Sequence, residues 1–297
     1  MKKLISVCIP TYNEEQNVVN AVTTVENLFA EQLPQYDLEI IITDNASMDS
    51  TWDKIKELSE SRPHLKAFRF SRNFGYQNSI FAGLSLSTGD AVIELDADLE
   101  DPPEIIPRFV EKWEEGFDVV YGVRAKRYGN WLNLALTKMF YRILDIMSEY
   151  KIPRDSGDFR LLDRKVVSAL AELPERNLYL RGLVAFLGFK QTSVTYDRQP
   201  RKSGASKFNI IQYFVLAIDA ITAFSKAPLR MIGVLGTLLF LVSVILSLYY
   251  LGLYLLGGIP VKGFTTVVIL MLGLHGISFI FLGTIGEYLS RIFDDSK

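Results

Sequence analysis

Ile93-Glu94-Leu95-Asp96-Ala97-Asp98-Leu99-Glu100-Asp101-Pro102-Pro103 joins an apolar, strand-forming run to a burst of acid. The run Ala91–Leu95 delivers Asp96 and Asp98 to the end of a strand, and the Pro-Pro step blocks its continuation. Four carboxylates within six residues, Asp96, Asp98, Glu100 and Asp101, repel one another unless positive charge sits among them. Hard divalent cations such as Mg²⁺ or Mn²⁺ prefer such oxygen-only ligation, and Mg²⁺ commonly shares one or two carboxylates with substrate phosphates. The plainer reading is a solvated acidic turn ahead of a helix whose first turn favours acids, with Glu104 serving the dipole. Taken alone, the stretch supports both equally.

Around it, short β-rich runs alternate with helical periodicity from residue 4 to about 123, the pattern of a parallel sheet built from βαβ units. Strands are expected at Leu4–Ile9, Leu38–Thr43, Leu65–Phe70, Ala91–Leu95 and Asp118–Val123. Helices are expected near Glu15–Glu31 (Val18, Val22, Val25 and Phe29 on one face), Ser50–Ser61, from about Gln77, and at Pro103–Glu115, where proline occupies the first turn. Open sheets of this kind bind ligands at the carboxyl ends of their strands. The polar clusters Thr11–Glu14, Asp44–Thr51, Ser71–Gly75 and Asp96–Asp101 all fall there, and their convergence outweighs any one of them. No Gly-x-Gly-x-x-Gly follows the first strand and no Gly-x-x-x-x-Gly-Lys-Ser/Thr occurs anywhere. Dinucleotide and Walker-type sites are therefore disfavoured.

The chain has 297 residues, 49% hydrophobic and 22% charged, and its apolar excess lies at the C-terminal end. A net charge of -2 offers no global basic field for nucleic acid. The single cysteine, Cys8, sits in an apolar run and reads as a reduced core residue, which fits a cytoplasmic catalytic part. The N-terminus is too short for a signal-peptide core and reads as the first strand.

Between Asn130 and Tyr150 the helical period is clear, with Lys138 and Arg142 four apart on one face. Asp155-Ser156-Gly157-Asp158-Phe159-Arg160 sets an acid and a base around a glycine, before a helix near Arg164–Leu173; such a pair is often only structural. Tyr196–Lys207 holds Arg198, Arg201, Lys202 and Lys207 against one acid, the composition of an anion-binding loop or of a basic contact to a membrane surface. Phe208–Ser225, interrupted by Asn209, Gln212 and Asp219, reads as an interfacial helix, with a buried bundle helix as the alternative. Two segments, about 232–256 and 264–288, match the roughly 20 residues that span a bilayer. The short connector Gly257–Gly263 makes them a hairpin. Lys226, Arg230 and Arg291 outside it, against Lys262 in the connector, place both termini in the cytoplasm.

Taken together, Pro10-Thr11-Tyr12-Asn13-Glu14, Asp44 with Ser47-Met48-Asp49-Ser50-Thr51, Ser71-Arg72-Asn73-Phe74-Gly75, Asp96–Pro103, Gly157–Arg160 and the Arg201…Lys207 loop occur in the order seen in one family. The chain resembles the polyprenyl-phosphate glycosyltransferases: bactoprenol glucosyltransferases, dolichol-phosphate-mannose synthases and undecaprenyl-phosphate aminoarabinose transferases. The resemblance implies a GT-A, Rossmann-like α/β fold with a mostly parallel sheet. The expected organisation is a catalytic domain over 1–207, an interfacial helix over 208–230 and a transmembrane hairpin over 231–297 in a bacterial inner membrane. It also implies a nucleotide-sugar donor, Mg²⁺ or Mn²⁺, and inverting transfer to undecaprenyl or another polyprenyl phosphate. A homotetramer is implied too, and a flippase acting on the product is admitted as a further partner.

By motif, Pro10, Tyr12, Glu14 and Asp44 correspond to nucleoside contacts. Asp96 corresponds to the residue bridging ribose and metal, and Asp98 to the direct metal ligand, with Glu100 a further metal ligand where the family often has glutamine. Arg124, Lys138, Arg201 and Lys207 correspond to acceptor-phosphate bases, and Asp158 to the acid near the anomeric centre. A second departure is Asp44-Asn45-Ala46-Ser47 in place of Asp-Asp-Gly-Ser. The sugar is expected to be glucose from UDP-glucose; UDP-GlcNAc, UDP-galactose, a formamido-arabinose donor and GDP-mannose stay open. A processive polysaccharide synthase would need more spans and a Gln-x-x-Arg-Trp-type motif, which is not found. A membrane-anchored nucleotide-sugar-binding regulator without turnover is the alternative from another class.

Overall fold

A computed structural model of the chain describes residues 2–125, 156–173 and 179–197 continuously, with scattered positions from Ile232 to Ile292. The chain divides into two compact units, Met1–Arg142 with Tyr150–Asn209 and Ile143–Glu149 with Ile210–Lys297. The first contains a seven-stranded sheet of β1 (Leu4–Thr11), β2 (Asp37–Asp44), β3 (Leu65–Arg69), β4 (Ala91–Glu94), β5 (Val119–Arg124), β6 (Ser156–Asp163) and β7 (Gln191–Tyr196). Their spatial order is β3-β2-β1-β4-β6-β5-β7. Six helices accompany them among the described residues: α1 (Val18–Gln32), α2 (Thr51–Ser61), α3 (Tyr76–Leu86), α4 (Ile106–Glu114), α5 (Arg164–Ala171) and α6 (Leu180–Phe186). A 3₁₀ turn, Pro103–Ile105, leads into α4.

The sheet is covered on both faces, which is why Ile40, Ile41 and Ile42 of β2 are all fully buried rather than alternating. Each such side chain removed from water contributes about 1.5–3 kcal/mol. On one face Val22, Val25 and Phe29 of α1, Ile55 of α2 and Phe109 and Trp113 of α4 pack with Ile5, Val7, Ile9 and Ile93. On the other, Gly83 of α3 approaches so closely that an added Cβ would lie 3.2 Å from the Cβ of Cys8. Cys8 is a buried free thiol, as a core residue should be.

The first five strands and the first four helices stand where periodicity puts them, within a few residues. α1 starts at Val18 rather than Glu15, because the Glu14 carbonyl accepts the first N–H groups, from Asn17 and Val18. The sheet is mostly parallel, as expected, with one antiparallel strand that the βαβ rhythm did not show. β6 runs antiparallel to both β4 and β5 and separates them. No strand was expected there, because Ser156, Gly157, Asp158 and Arg160 carry no strand alternation. Helix α6 and strand β7 had no expected counterpart either.

Among the described residues no helix is long and apolar enough to cross a membrane. The expected spans, and the helices expected at Asn130–Tyr150 and Phe208–Ser225, fall wholly or largely outside the described residues. So do Lys138, Arg201 and Lys207.

Candidate active site

Strands β1, β2, β4 and β5 end on one edge, and antiparallel β6 begins there. The strand order diverges from β1 toward β2 on one side and β4 on the other, the position where open α/β sheets hold ligands. Three non-glycine residues adopt left-handed backbone at this edge: Asn13 (φ 56°), Ala46 (φ 59°) and Leu99 (φ 52°). Such conformations cost free energy and persist where surrounding contacts enforce them. The contacts are visible. The Asn13 N–H donates to Ser47 Oγ at 2.9 Å, and the Met48 N–H donates back to Asn13 Oδ1 at 2.9 Å, lacing the turns after β1 and β2 together.

Of the expected nucleoside contacts, Pro10 is the penultimate residue of β1, beside Thr43, and Tyr12 follows the strand with its ring exposed. The Glu14 carboxylate accepts from Asn17 Nδ2 at 2.7 Å. Asp44 is fully buried, receives the Ser47 N–H and pairs with Arg69 Nε at 3.2 Å. Asn45, which departs from the family pattern, has a local role. Its Nδ2 donates to Asn73 Oδ1 at 3.0 Å and its Oδ1 accepts the Phe74 N–H at 2.9 Å, tying Ser71–Gly75 to the end of β2. A carboxylate could only accept there.

The acids after β4 are not a solvated turn. Glu100 and Asp101 are buried, and the Asp98 carboxylate accepts the Glu100 N–H at 3.1 Å around left-handed Leu99. Tyr76 at the start of α3 donates its hydroxyl to Asp96 Oδ1 at 2.6 Å. Burial, opposed by that hydrogen bond and joined by the negative charges of Asp98, Asp158 and Asp101, raises the Asp96 carboxyl to about 7. A divalent cation fits these oxygen-only donors chemically. Among the described residues no three acidic, histidine or cysteine side chains form a ready-made metal cage. The set Asp96, Asp98 and Glu100 is thus not preassembled. A shared site, with Asp96 and Asp98 contributing beside ligand phosphate oxygens, is what this donor set can form.

Across β4, the antiparallel register sets Glu94 opposite Arg160, with Arg160 Nε 3.5 Å from Glu94 Oε2. Asp158 stands near enough to Asp96 for its charge to raise the Asp96 carboxyl. Asp158 is held by three N–H groups: Arg181 Nε to Oδ1 and Arg181 Nη2 to Oδ2, both at 2.7 Å, and Arg160 Nη2 to Oδ1 at 2.8 Å. Burial opposes its ionisation, but Arg181 and then Arg160 and Arg124 outweigh that and keep the carboxyl below its usual range. Glu94 is buried with no hydrogen bond to either carboxylate oxygen; burial and the nearby Asp158 raise its carboxyl well above the ordinary value. Arg124, at the end of β5, pairs with Asp101 at 2.9 Å.

The structure therefore brings Asp96, Asp98, Arg124 and Asp158 to one edge. Arg160, Arg181 and Glu94 were missed as site residues. Arg160 belongs to the same short motif as Asp158, but Arg181 lies on a helix with no motif signal, and Glu94 reads as an inner strand position.

Residues 6–171 match the family described as glycosyl transferase family 2. An uncharacterised glycosyltransferase of Synechocystis sp. is 40% identical over 299 residues, covering 99% of this chain and 92% of that protein. The bactoprenol glucosyl transferase of Shigella phage SfX is 37% identical over 99% of this chain and 96% of its own length. Among solved structures, glucosyl-3-phosphoglycerate synthase from Mycobacterium tuberculosis, in complex with Mn²⁺, UDP and phosphoglyceric acid, superposes with a TM-score of 0.52. It is 17% identical, over 74% of this chain and 76% of that one. The mannosyltransferase PcManGT from Pyrobaculum calidifontis, in complex with GDP-Man and Mn²⁺, gives 0.50 at 18% identity, over 75% and 63%. With a mixed GT-A sheet, an acidic strand end at its topological switch and a family match over more than half its length, this chain is a glycosyltransferase of family 2.

Proposed function

We propose that the enzyme transfers a hexose, glucose from UDP-glucose being the best-supported donor, to undecaprenyl or another polyprenyl phosphate with inversion at the anomeric carbon. One observation carries the acceptor class: the buried carboxylate in the place expected for a base, Asp158, is saturated by two guanidinium groups. Such a carboxylate is a poor proton acceptor. A hydroxyl acceptor would need a better one. A phosphomonoester does not, because its second pKa lies near 6 and it arrives ionised. Its oxygen attacks the anomeric carbon, the bond to the nucleoside diphosphate breaks, and no proton has to move.

The difficulty is then repulsion between two anions. Unit charges 4 Å apart interact with about 4 kcal/mol at an intermediate dielectric. On the donor side, Asp98 with Asp96 would hold Mg²⁺ or Mn²⁺, which when bound offsets charge on the departing diphosphate. On the acceptor side, Arg124 would meet the incoming phosphate, joined by Lys138, Arg201 and Lys207 from outside the described residues. Asp158 orients Arg181 and Arg160 between the two halves. Pro10, Tyr12, Glu14 and Asp44 would line the nucleoside subsite.

The names of the bactoprenol relatives support undecaprenyl phosphate and glucose. A membrane setting is supported by the two long apolar segments, and a cytoplasmic catalytic unit by Lys226, Arg230 and Arg291 against Lys262 in the connector. The membrane setting is also supported by Val234, Leu238, Leu241, Ile245 and Leu248, which are helical, spaced for one face and exposed. The test is transfer of label from a panel of UDP- and GDP-sugars to undecaprenyl phosphate and, in parallel, to undecaprenol. Labelling of the phosphate alone is expected. Labelling of the alcohol at a comparable rate would refute the acceptor class, and binding of donors with no transfer to either would favour a regulator.

A further inference from the structure

Asp101 joins the ends of two strands, β5 and β7. Arg124 Nε donates to its Oδ1 at 3.3 Å, Arg124 Nη2 to its Oδ2 at 2.9 Å, and the Tyr196 hydroxyl to its Oδ1 at 2.5 Å. Asp101 is 2% exposed, whereas 28% of the Arg124 side chain remains exposed. The carboxylate thus grips the inner Nε–Nη2 edge of the guanidinium and directs the Nη1 corner away from itself.

The surroundings are built for this contact. Arg124 and Tyr196 are register partners, the last residues of adjacent parallel strands β5 and β7. A Cβ on Gly122 would lie 2.5 Å from the Tyr196 ring, so only glycine lets the ring cross β5. A Cβ on Gly157 would lie 3.2 Å from Arg124 Nη2 and 3.6 Å from Asp101 Oδ2, so the start of β6 is also cleared for the pair. The Tyr196 ring is braced edge-on by Phe159 at 5.9 Å. Asp101 itself ends the acidic loop, beyond left-handed Leu99. Tyr196 immediately precedes the basic segment that begins at Arg198.

We infer that Asp101 and Tyr196 are positioning residues that aim Arg124 at the acceptor phosphate. The inference rests on the acceptor reading of Arg124 given above. A mere structural ion pair would serve folding and donor binding alike. The positioning role acts on the acceptor alone.

The experiment measures steady-state transfer to undecaprenyl phosphate in detergent micelles, with UDP affinity in the presence of Mn²⁺ by calorimetry. The variants are Asp101→Asn, Tyr196→Phe, Arg124→Gln and Asp101→Asn/Arg124→Gln. Asp101→Asn should raise the acceptor KM tenfold or more and Tyr196→Phe severalfold, with UDP affinity changing less than threefold. In the double variant, Asp101→Asn should add little to Arg124→Gln. If Arg124→Gln leaves the acceptor KM unaltered, the acceptor reading falls and the inference with it. If Arg124→Gln raises it but Asp101→Asn does not, or if the two losses multiply in full, only the inference falls. Should Asp101→Asn not fold, Tyr196→Phe, which removes one oxygen, decides: an unaltered acceptor KM overturns the positioning role.

Discussion

Replacing Asp158 with asparagine separates a positioning carboxylate from a catalytic base. The substitution keeps the shape and removes the charge that accepts three N–H bonds at 2.7–2.8 Å from Arg181 and Arg160. The asparagine amide also turns a donor toward a guanidinium that can only donate. Breaking a buried ion pair by removing one partner costs about 3–5 kcal/mol. Arg181 is partly exposed and water can take over some of its hydrogen bonds, so about 3 kcal/mol is the reasonable expectation here. For a unit of this size that is a fall in Tm of about 6–12 °C. Activity should drop by about one to two orders of magnitude through misplaced arginines, less than the 10²–10⁴ typical of a lost general base at its upper end. The assay pairs a thermal melt with transfer to undecaprenyl phosphate from pH 6.5 to 9. A flat pH profile parallel to wild type is expected. A melt unchanged from wild type, or a far larger rate loss rescued by added formate, would refute the reasoning.

Three further outcomes are expected. Ala46→Gly relieves left-handed backbone that costs an alanine about 1–2 kcal/mol, partly offset by glycine's greater unfolded-state entropy, so denaturant melts should show a gain of about 0.5–1 kcal/mol. Glu39 is buried and, despite the opposing effect of that burial, bonds from Lys66, Ser6 and Thr88 lower its carboxyl to about 2. Its depressed value means the stabilisation is complete above the ordinary 4.5 and is lost as pH falls through 2, so Glu39→Gln should destabilise at pH 7 and converge with wild type near pH 2 in urea titrations. Asp98→Ala, like treatment with a chelator, should abolish transfer, with Mn²⁺ or Mg²⁺ restoring the chelated wild type but not the variant; near-normal turnover in Asp98→Ala would remove it from the metal assignment.

Local pattern was enough to locate the five parallel strands, because each is a short apolar run stopped by polar or proline residues, and parallel order confines ligand chemistry to one sheet edge. It was enough, too, to single out Asp96 and Asp98, whereas Arg124 and Asp158 entered only through the family resemblance. It could not see β6. A strand whose inward positions hold Asp158 and Arg160 has no apolar alternation, and it becomes a strand only because β4 and β5 stand ready on either side to accept its hydrogen bonds.

That insertion sets the charge state of the site. Asp158 is legible as an acid, but whether it accepts a proton or steadies two arginines depends on Arg181, 23 residues away on α6. Likewise Glu100 and Asp101, adjacent acids in one motif, look solvated until the left-handed turn at Leu99 and the strand ends carrying Arg124 and Tyr196 enclose them. Residue type and spacing determined which chemistry the chain carries. Tertiary packing decided which of those charges stay available, because burial and partners from distant strands set the cost of ionisation.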